Sequence, residues 1–366
     1  MALKKYKLGE LIELCDERNT EGITEFYGIN INKEFMPTVA NTEGLDESKY
    51  KVVRKNRFVF SGMQTGRDVC IRISMYMKDN PIIVSPAYTT FEVKKTDIVS
   101  PTYFFMLFLS KEMDRLGWFC SDGSIRSNLD WDRFCDFDIY LPSLDVQKQY
   151  AAVYQAACDN MNVYQSRLDS LKTVCDGYIE RLRTEIKPQK IGNYIEPRDE
   201  RNSELKIKLA QGITNDKHFA TPKQVAQIET NAKIVRRDQF AYNRATTRNG
   251  DKISIAYRTD EDCVVSSAYG VFEIVKKNQL LAEYLMIWFK RSEFDRYARY
   301  MSKGSAHEFF EYDDMCDVEI PIPSMDIQRD IVNIYQCYIE RQRIAAQMKE
   351  QIKALCPVLI RGSLQE

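Results

Sequence analysis

The chain of 366 residues is 44% hydrophobic and nearly neutral, with 52 Lys and Arg against 53 Asp and Glu, so it can bury two cores of ordinary size and is not a uniformly basic nucleic-acid coat. Ten cysteines form no CxxC pair and only His218 and His307 add imidazole, which excludes zinc-finger spacing and reads as reduced thiols. The opening MALKKYKLGE lacks the apolar core of an export signal and the longest apolar run, YFFMLFL at 103–109, is too short to cross a bilayer, so a cytoplasmic protein without membrane contact is expected.

The first informative stretch, KLGELIELCDERN at 7–19, returns as KIGNYIEPRDERN at 190–202 with eight of thirteen positions identical, an offset of 183. The repeat continues. KVVRKNRFVF (51–60) faces KIVRRDQFAY (233–242), VSPAYTTFEV (84–93) faces VSSAYGVFEI (265–274), GSIR (123–126) faces GSAH (304–307), and WDRFCDFDIYLPSLDVQ (131–147) faces YDDMCDVEIPIPSMDIQ (312–328). A period this long is a duplicated domain, not a solenoid repeat.

Within each copy, short β-branched and aromatic runs such as KVVRKNRFVF, DVCIRISMY and NPIIVSPAYTTFEV predict strands, and SPTYFFMLFLSKEMDRLG predicts one amphipathic helix. After LPSLD the pattern changes. Tyr150, Tyr154, Ala157, Met161, Tyr164, Leu168, Leu171, Cys175, Tyr178 and Leu182 alternate spacings of four and three. So do Ile327, Ile331, Ile334, Tyr338, Arg341, Ala345, Met348, Ile352, Leu355 and Leu359. These are heptad seams, and two such helices separated by a whole domain are expected to pair with each other. Pro188 starts the second copy. The expected division is 1–143, a mixed α/β domain; 144–187, a long helix; 188–324, the second domain; and 325–366, the second helix.

Local charge departs from the neutral total. Lys51 to Arg72 holds six basic residues against Asp68, and Lys233 to Arg258 holds seven against Asp238 and Asp251. Each stretch includes a polar loop, SGMQTGRD or NRATTRNGD, suited to DNA: glycine permits close approach, arginine grips phosphate or guanine, and Gln or Asn can pair with adenine. The acidic DERN segments are poor phosphate partners and are expected to build the domains instead.

Taken with IVSPAYTTFEV, GSIRSNLDWDRFCDFDIYLPSLDVQ and their second-copy counterparts, the chain resembles, over essentially its whole length, the specificity subunit of type I restriction-modification systems. The resemblance implies an α/β (mixed α+β) fold with two tandem target recognition domains, each followed by a long helix, the helices packing antiparallel as a coiled-coil spacer. It implies a reader of split double-stranded DNA sites without catalysis of its own. Two methyltransferase subunits would bind the helices, using S-adenosylmethionine on adenine, and a motor or restriction subunit would add cleavage. The chain itself would hold no cofactor and no metal.

The residues expected near DNA are Gln64, Thr65, Arg67, Ser124, Arg126 and Asn128 in the first domain, with Tyr88 beside them. In the second they are Arg244, Thr246, Thr247, Arg248, Asn249, Lys252, Ser305 and His307, with Tyr269 corresponding to Tyr88. Core packing is the alternative for the two tyrosines. Arg126 faces His307 in the repeat, so equivalent contacts are not implied there. Gln147 and Gln328 are expected on the faces that meet methyltransferase subunits. Two rival readings are a metal-dependent nuclease using Asp79, Glu92 and Lys94, whose counterpart Lys276 falls one place late, and an assembly adaptor that no longer reads DNA. No GxxxxGK[ST] loop or Asn-Pro-Pro-aromatic methyltransferase motif occurs.

Overall fold

The computed structural model describes residues 3–39, 42, 44–222, 228–246, 252–304 and 308–365. Packing divides the chain into two units, Met1–Gln165 with Arg343–Glu366, and Ser166–Gln342. The division falls inside the helical segments, so each unit holds one α/β domain and parts of both.

In the first unit an antiparallel sheet runs Ile12–Leu14, Thr89–Val93, Phe58–Ser61, Arg72–Met75. A second sheet runs Phe35–Pro37, Phe26–Ile29, Ile82–Val84, Lys51–Val53, with 26–29 parallel to 82–84. Alternation along Thr89–Val93 sends Phe91 inward, where it stacks on Phe58 at 4.9 Å between ring centres. Phe104, Phe108 and Phe134 close over them, fully buried. The second unit repeats the first of these sheets with Ile195–Pro197, Tyr269–Ile274, Gln239–Asn243 and Ile255–Tyr257, where Phe240 stacks on Phe272 at 5.0 Å; in place of the second sheet it has two-stranded pairs, Gly212–Ile213 with Phe219–Ala220 and Lys233–Val235 with Cys263–Val265.

The single helix expected over SPTYFFMLFLSKEMDRLG is two, Pro101–Leu107 and Lys111–Cys120. Ser110 causes the break: its hydroxyl oxygen accepts from Met113 N at 3.3 Å, capping the second helix. KVVRKNRFVF is likewise two strands, Lys51–Val53 and Phe58–Ser61, turned at Asn56 with φ 68°.

The repeated KxGxxIExxDERN is a structural fastener in both copies. Lys7 and Lys190 pair with Asp138 and Asp317, and Gly9 and Gly192 admit Cys135 and Cys316, whose Cβ atoms would lie 3.0 and 2.7 Å from an added β-carbon. Ile12 and Ile195 are core residues. Asp16 and Asp199 bind Lys51 and Lys233; Glu17 binds Arg54 and Arg57, and Glu200 binds Arg236. Asn19 and Asn202 each close a loop with two backbone bonds, to Ile23 and Ile207. Much of the basic excess at 51–57 and 233–237 is therefore neutralised within its own domain.

Hydrogen bonds from Arg54 and Arg57 hold the Glu17 carboxyl below its ordinary range, and Arg201 and Lys233 do the same to Asp199. Folded pKa values below unfolded ones give stability that is present above the ordinary carboxylate range and lost as pH falls through the folded values. The denaturation midpoint is expected to hold near neutrality and to drop steadily below about pH 4.5. A midpoint flat from neutral to about pH 3 would show that these pairs contribute nothing.

The long helices are Leu144–Ser166 and Leu168–Glu185, interrupted at Arg167, and the 39-residue Met325–Ser363. In the first unit Ala151, Tyr154 and Cys158 pack with Ile352, Cys356 and Leu359. Tyr150 lies over Gly362 and Cys158 beside Cys356, so these segments run antiparallel. In the second unit Ile179 and Leu182 share a core with Ile331, Val332 and Tyr335. Tyr154, Cys175, Leu182, Ile331 and Ala345 are buried as expected, but elsewhere the seam is displaced by one residue: Ala151, Cys158, Ile179 and Cys356 are buried beside the expected Tyr150, Ala157, Tyr178 and Leu355, and Tyr178 and Ile327 are exposed.

Gln147 and Gln328 are not surface residues. Both are fully buried. Gln147 donates to Ile98 O and Pro142 O and accepts from Ser100 N; Gln328 donates to Gln279 O and Pro323 O and accepts from Leu281 N. Each amide fastens the first turn of a long helix to its own domain, satisfying backbone groups that burial would otherwise leave orphaned.

Candidate nucleic-acid interface

In the first unit the strand Phe58–Ser61 runs into Gly62, a one-turn helix Thr65–Asp68 and then Ile71. The loop 121–129 after Lys111–Cys120 comes back against it. Leu129 N donates to Gly62 O at 2.9 Å, Gln64 N to Arg126 O at 3.1 Å and Gly66 N to Ser127 O at 3.0 Å. Gln64, Arg67, Ser124, Arg126 and Asn128 are thus gathered on one pair of loops from two distant parts of the sequence. Close approach is permitted by small residues: a β-carbon on Gly66 would come within 2.6 Å of Ser127 Cβ, and one on Gly117 within 2.3 Å of Ile71.

The loops are held in left-handed backbone at three non-glycine residues, Gln64 (φ 62°), Val69 (φ 48°) and Ser127 (φ 46°). For β-branched Val69, with an exposed side chain, this costs on the order of 1–3 kcal/mol and persists because the surroundings fix it. Part of the fixing is polar. Arg67 Nη2 and Arg72 Nη2 both donate to Gln64 Oε1 at 3.1 Å, and both arginines pair with Asp68. Burial alone would raise the Asp68 carboxyl; hydrogen bonds from Arg72 and Arg67 outweigh it and hold it low. Asp122 accepts from Ser124 Oγ at 2.7 Å and Asn128 N at 2.9 Å, and these bonds lower its pKa too. Arg126 is exposed.

Thr65 does not reach the surface: it is fully buried and its hydroxyl donates to Gly62 O at 3.0 Å. Tyr88 packs against a small core of Ile29, Val53, Val59, Tyr76, Ile82 and Val84, and its hydroxyl accepts from Ile29 N at 3.5 Å. Tyr269 packs the same way on Ile213 and Val271. For both tyrosines the packing alternative is the one that the geometry favours.

The second unit makes the same loop pairing. Phe310 N donates to Arg244 O at 2.9 Å and Thr246 N to Glu308 O at 3.0 Å. Arg244 is drawn into a two-oxygen pair with Glu311 at 2.6 and 2.5 Å, over the Phe309 ring, and Thr246 is buried with its hydroxyl on Glu308 O. Lys252 is exposed, 3.9 Å from Asp216. Thr247, Arg248, Asn249, Ser305 and His307 lie outside the described residues.

Two further residue pairs support these loops and escaped the sequence reading. Lys33 Nζ donates to Asp114 Oδ1 at 2.5 Å, and the same oxygen accepts from Ile71 N at 2.9 Å. Lys217 Nζ donates to Asp295 Oδ1 at 2.7 Å, and that oxygen accepts from Ile253 N at 3.2 Å. Both lysines are buried and both have left-handed backbone, φ 62° and 63°. The available signal was positional: Lys33 and Lys217 stand 184 apart, Asp114 and Asp295 stand 181 apart, close to the repeat offset.

The carboxylates of the nuclease reading are committed elsewhere, Glu92 to Arg57 at 2.7 Å and Asp79 to Lys55 at 2.7 Å. Among the described residues no group of three or more His, Cys, Asp or Glu side chains could hold a metal ion, and no helix is long and apolar enough to cross a membrane.

Comparison with known proteins agrees with this architecture. The family model "Type I restriction modification DNA specificity domain" matches twice, at residues 3–168 and 193–354. The fold is similar to the crystal structure of the type I restriction-modification S subunit from M. genitalium, with TM-score 0.64 and 11% identity over 99% of this chain and 96% of that one. The HsdS subunit from Thermoanaerobacter tengcongensis matches with TM-score 0.42 and 15% identity over 99% and 96% of the two chains. A chain from a structure on complex assembly and conformational transition of the type I R-M system gives 0.45 and 13% over 99% and 97%. The search of curated proteins found no match. With both domains matched and the fold shared, the chain belongs to the type I restriction-modification DNA specificity family, as a subunit that recognises a bipartite DNA target.

Proposed function

We propose that each domain reads one half of the split site through its paired loops, and that the chain performs no chemistry itself. One observation carries this reading: Leu129 N to Gly62 O and Phe310 N to Arg244 O are the same backbone bond in two units whose loop sequences differ. One scaffold presenting two different loop sets is what two different half-sites require. The long helices act as an antiparallel spacer and carry two methyltransferase subunits, which bind S-adenosylmethionine and methylate adenine. A motor or restriction subunit is a further partner, and the complex works in the cytoplasm.

The test is to map methylated adenines in cells carrying the chain with its natural partner subunits. A split motif is expected, relaxed in one half by Arg67→Ala and in the other by Arg248→Ala, each by about 1–3 kcal/mol of base discrimination. If one substitution degrades both halves with the fold intact, the domains are not independent readers. If no sequence-specific binding or methylation is found with assembly intact, the adaptor reading takes over. DNA cleavage or methylation by the purified chain alone would overturn the non-catalytic assignment.

A further inference from the structure

The loop pair of the first domain carries several hydrogen-bond donors that no described residue accepts from, while its glutamine acceptor is already in use. Gln64 Oε1 accepts from Arg67 Nη2 and from Arg72 Nη2, both at 3.1 Å, so its two lone-pair directions are occupied. Its Nε2 donates to no described residue. Asn128 Oδ1 is turned inward in the same sense, accepting from Gln64 N at 3.4 Å. Of the two local carboxylates, Asp68 is paired through both oxygens with Arg67 and Arg72, and Asp122 accepts through Oδ1 from Ser124 and the Asn128 backbone. The two amide NH2 groups donate to no described residue, and beside them the guanidinium groups of Arg67 and Arg126 are exposed.

Base edges in the major groove differ in what they offer to such a face. Adenine presents an acceptor beside a donor, cytosine a donor, and thymine one acceptor beside a methyl group; guanine alone presents two adjacent acceptors, N7 and O6. A glutamine reads adenine by accepting from N6 while donating to N7. Gln64 cannot do this without giving up at least one arginine bond. We infer that the first domain reads guanine, with Gln64 acting as a donor held in place by Arg67 and Arg72, and that the half-site it recognises is built around at least one G·C pair. The sequence expectation that this amide pairs with adenine is replaced. The inference rests on the reading that these loops face DNA.

The experiment uses the chain assembled with its partner methyltransferase and duplexes carrying the mapped site, in which each guanine of the first half-site is replaced in turn by 7-deazaguanine, which lacks the N7 acceptor. At one position the replacement is expected to lower specific binding about tenfold. Gln64→Ala should lower binding by a similar factor, and the two losses should not multiply. Gln64→Glu should lose the same position, because a carboxylate between two arginines has no donor to offer. Unchanged recognition of the other half-site in each variant shows that the protein is folded and assembled. A first half-site of A·T pairs only, or a 7-deazaguanine loss that multiplies with Gln64→Ala, overturns the guanine assignment while leaving the loops as the DNA face. If Gln64→Ala and Arg67→Ala both leave both half-sites unchanged, the DNA-face reading fails, and the inference with it.

Discussion

Lys217→Ala is expected to destabilise the second domain by about 3–5 kcal/mol, because it leaves the buried Asp295 carboxylate without its partner. The side chains are only 5% and 11% exposed, and Lys217 also donates to the Phe289 carbonyl. Burial pushes the Lys217 ammonium pKa down, and Asp295 opposes that shift. Pairing Lys217→Met with Asp295→Asn should recover much of the loss, since the double variant removes both charges yet keeps an acceptor for Ile253 N. Lys33→Ala should cost less than Lys217→Ala, because Asp114 is 21% exposed and water can replace the lost ammonium. Denaturant unfolding of the full chain and its variants measures all four. A loss under about 1 kcal/mol for Lys217→Ala would mean that Asp295 is not a buried unpaired charge once the lysine is gone.

Why the two lysines escaped notice while the DERN segments did not is a matter of what sequence displays. The DERN repeat is contiguous, and eight matches in thirteen residues announce themselves. The Lys–Asp pair joins residues 81 or 78 apart, and nothing local to LysGlu or LysHis marks burial. The same distance effect governs charge. A basic run at 51–57 reads as a DNA surface until Arg57 is seen to reach Glu17, 40 residues away, and Glu92, 35 away. The long-helix seam was legible because heptad spacing is a local property, and the duplication was legible because it needs no structure at all. Gln147 and Gln328 were misplaced for a related reason. A polar residue four before Ala151 reads as solvent-facing, yet each amide accepts from a backbone N–H 47 residues upstream that only the fold brings near. Loop residues divided by burial: Gln64, Arg67, Ser124, Arg126 and Asn128 lie on one pair of loops and are at least partly exposed, whereas Thr65 and Thr246 turned inward to carbonyls that sequence could not place.

Gly62→Ala is expected to abolish reading of the first half-site while sparing the second. A β-carbon there would stand 2.0 Å from Leu129 O and 3.0 Å from Leu129 C, both backbone atoms, so no side-chain rotation relieves the clash. Gly62 cannot retreat easily, because Ser61 is paired with Arg72 across the sheet and Phe60 is locked against Phe134 at 4.6 Å. The loops must separate instead. That breaks the bond from Leu129 N to Gly62 O and displaces Gln64, whose own backbone N–H depends on Arg126 O. Overpacking of this kind costs about 1–3 kcal/mol of stability, which leaves a domain folded but its loop pair open. Discrimination between the correct first half-site and one carrying a single changed base pair should fall about tenfold or more, with second-half discrimination unchanged. The second domain supplies the rival outcome. Its residue at the corresponding position is Arg244, which carries a β-carbon and still accepts from Phe310 N at 2.9 Å. If Gly62→Ala reads both half-sites normally, the first loop pair can relax to that wider arrangement, and the tight approach at Gly62 is not what positions Gln64.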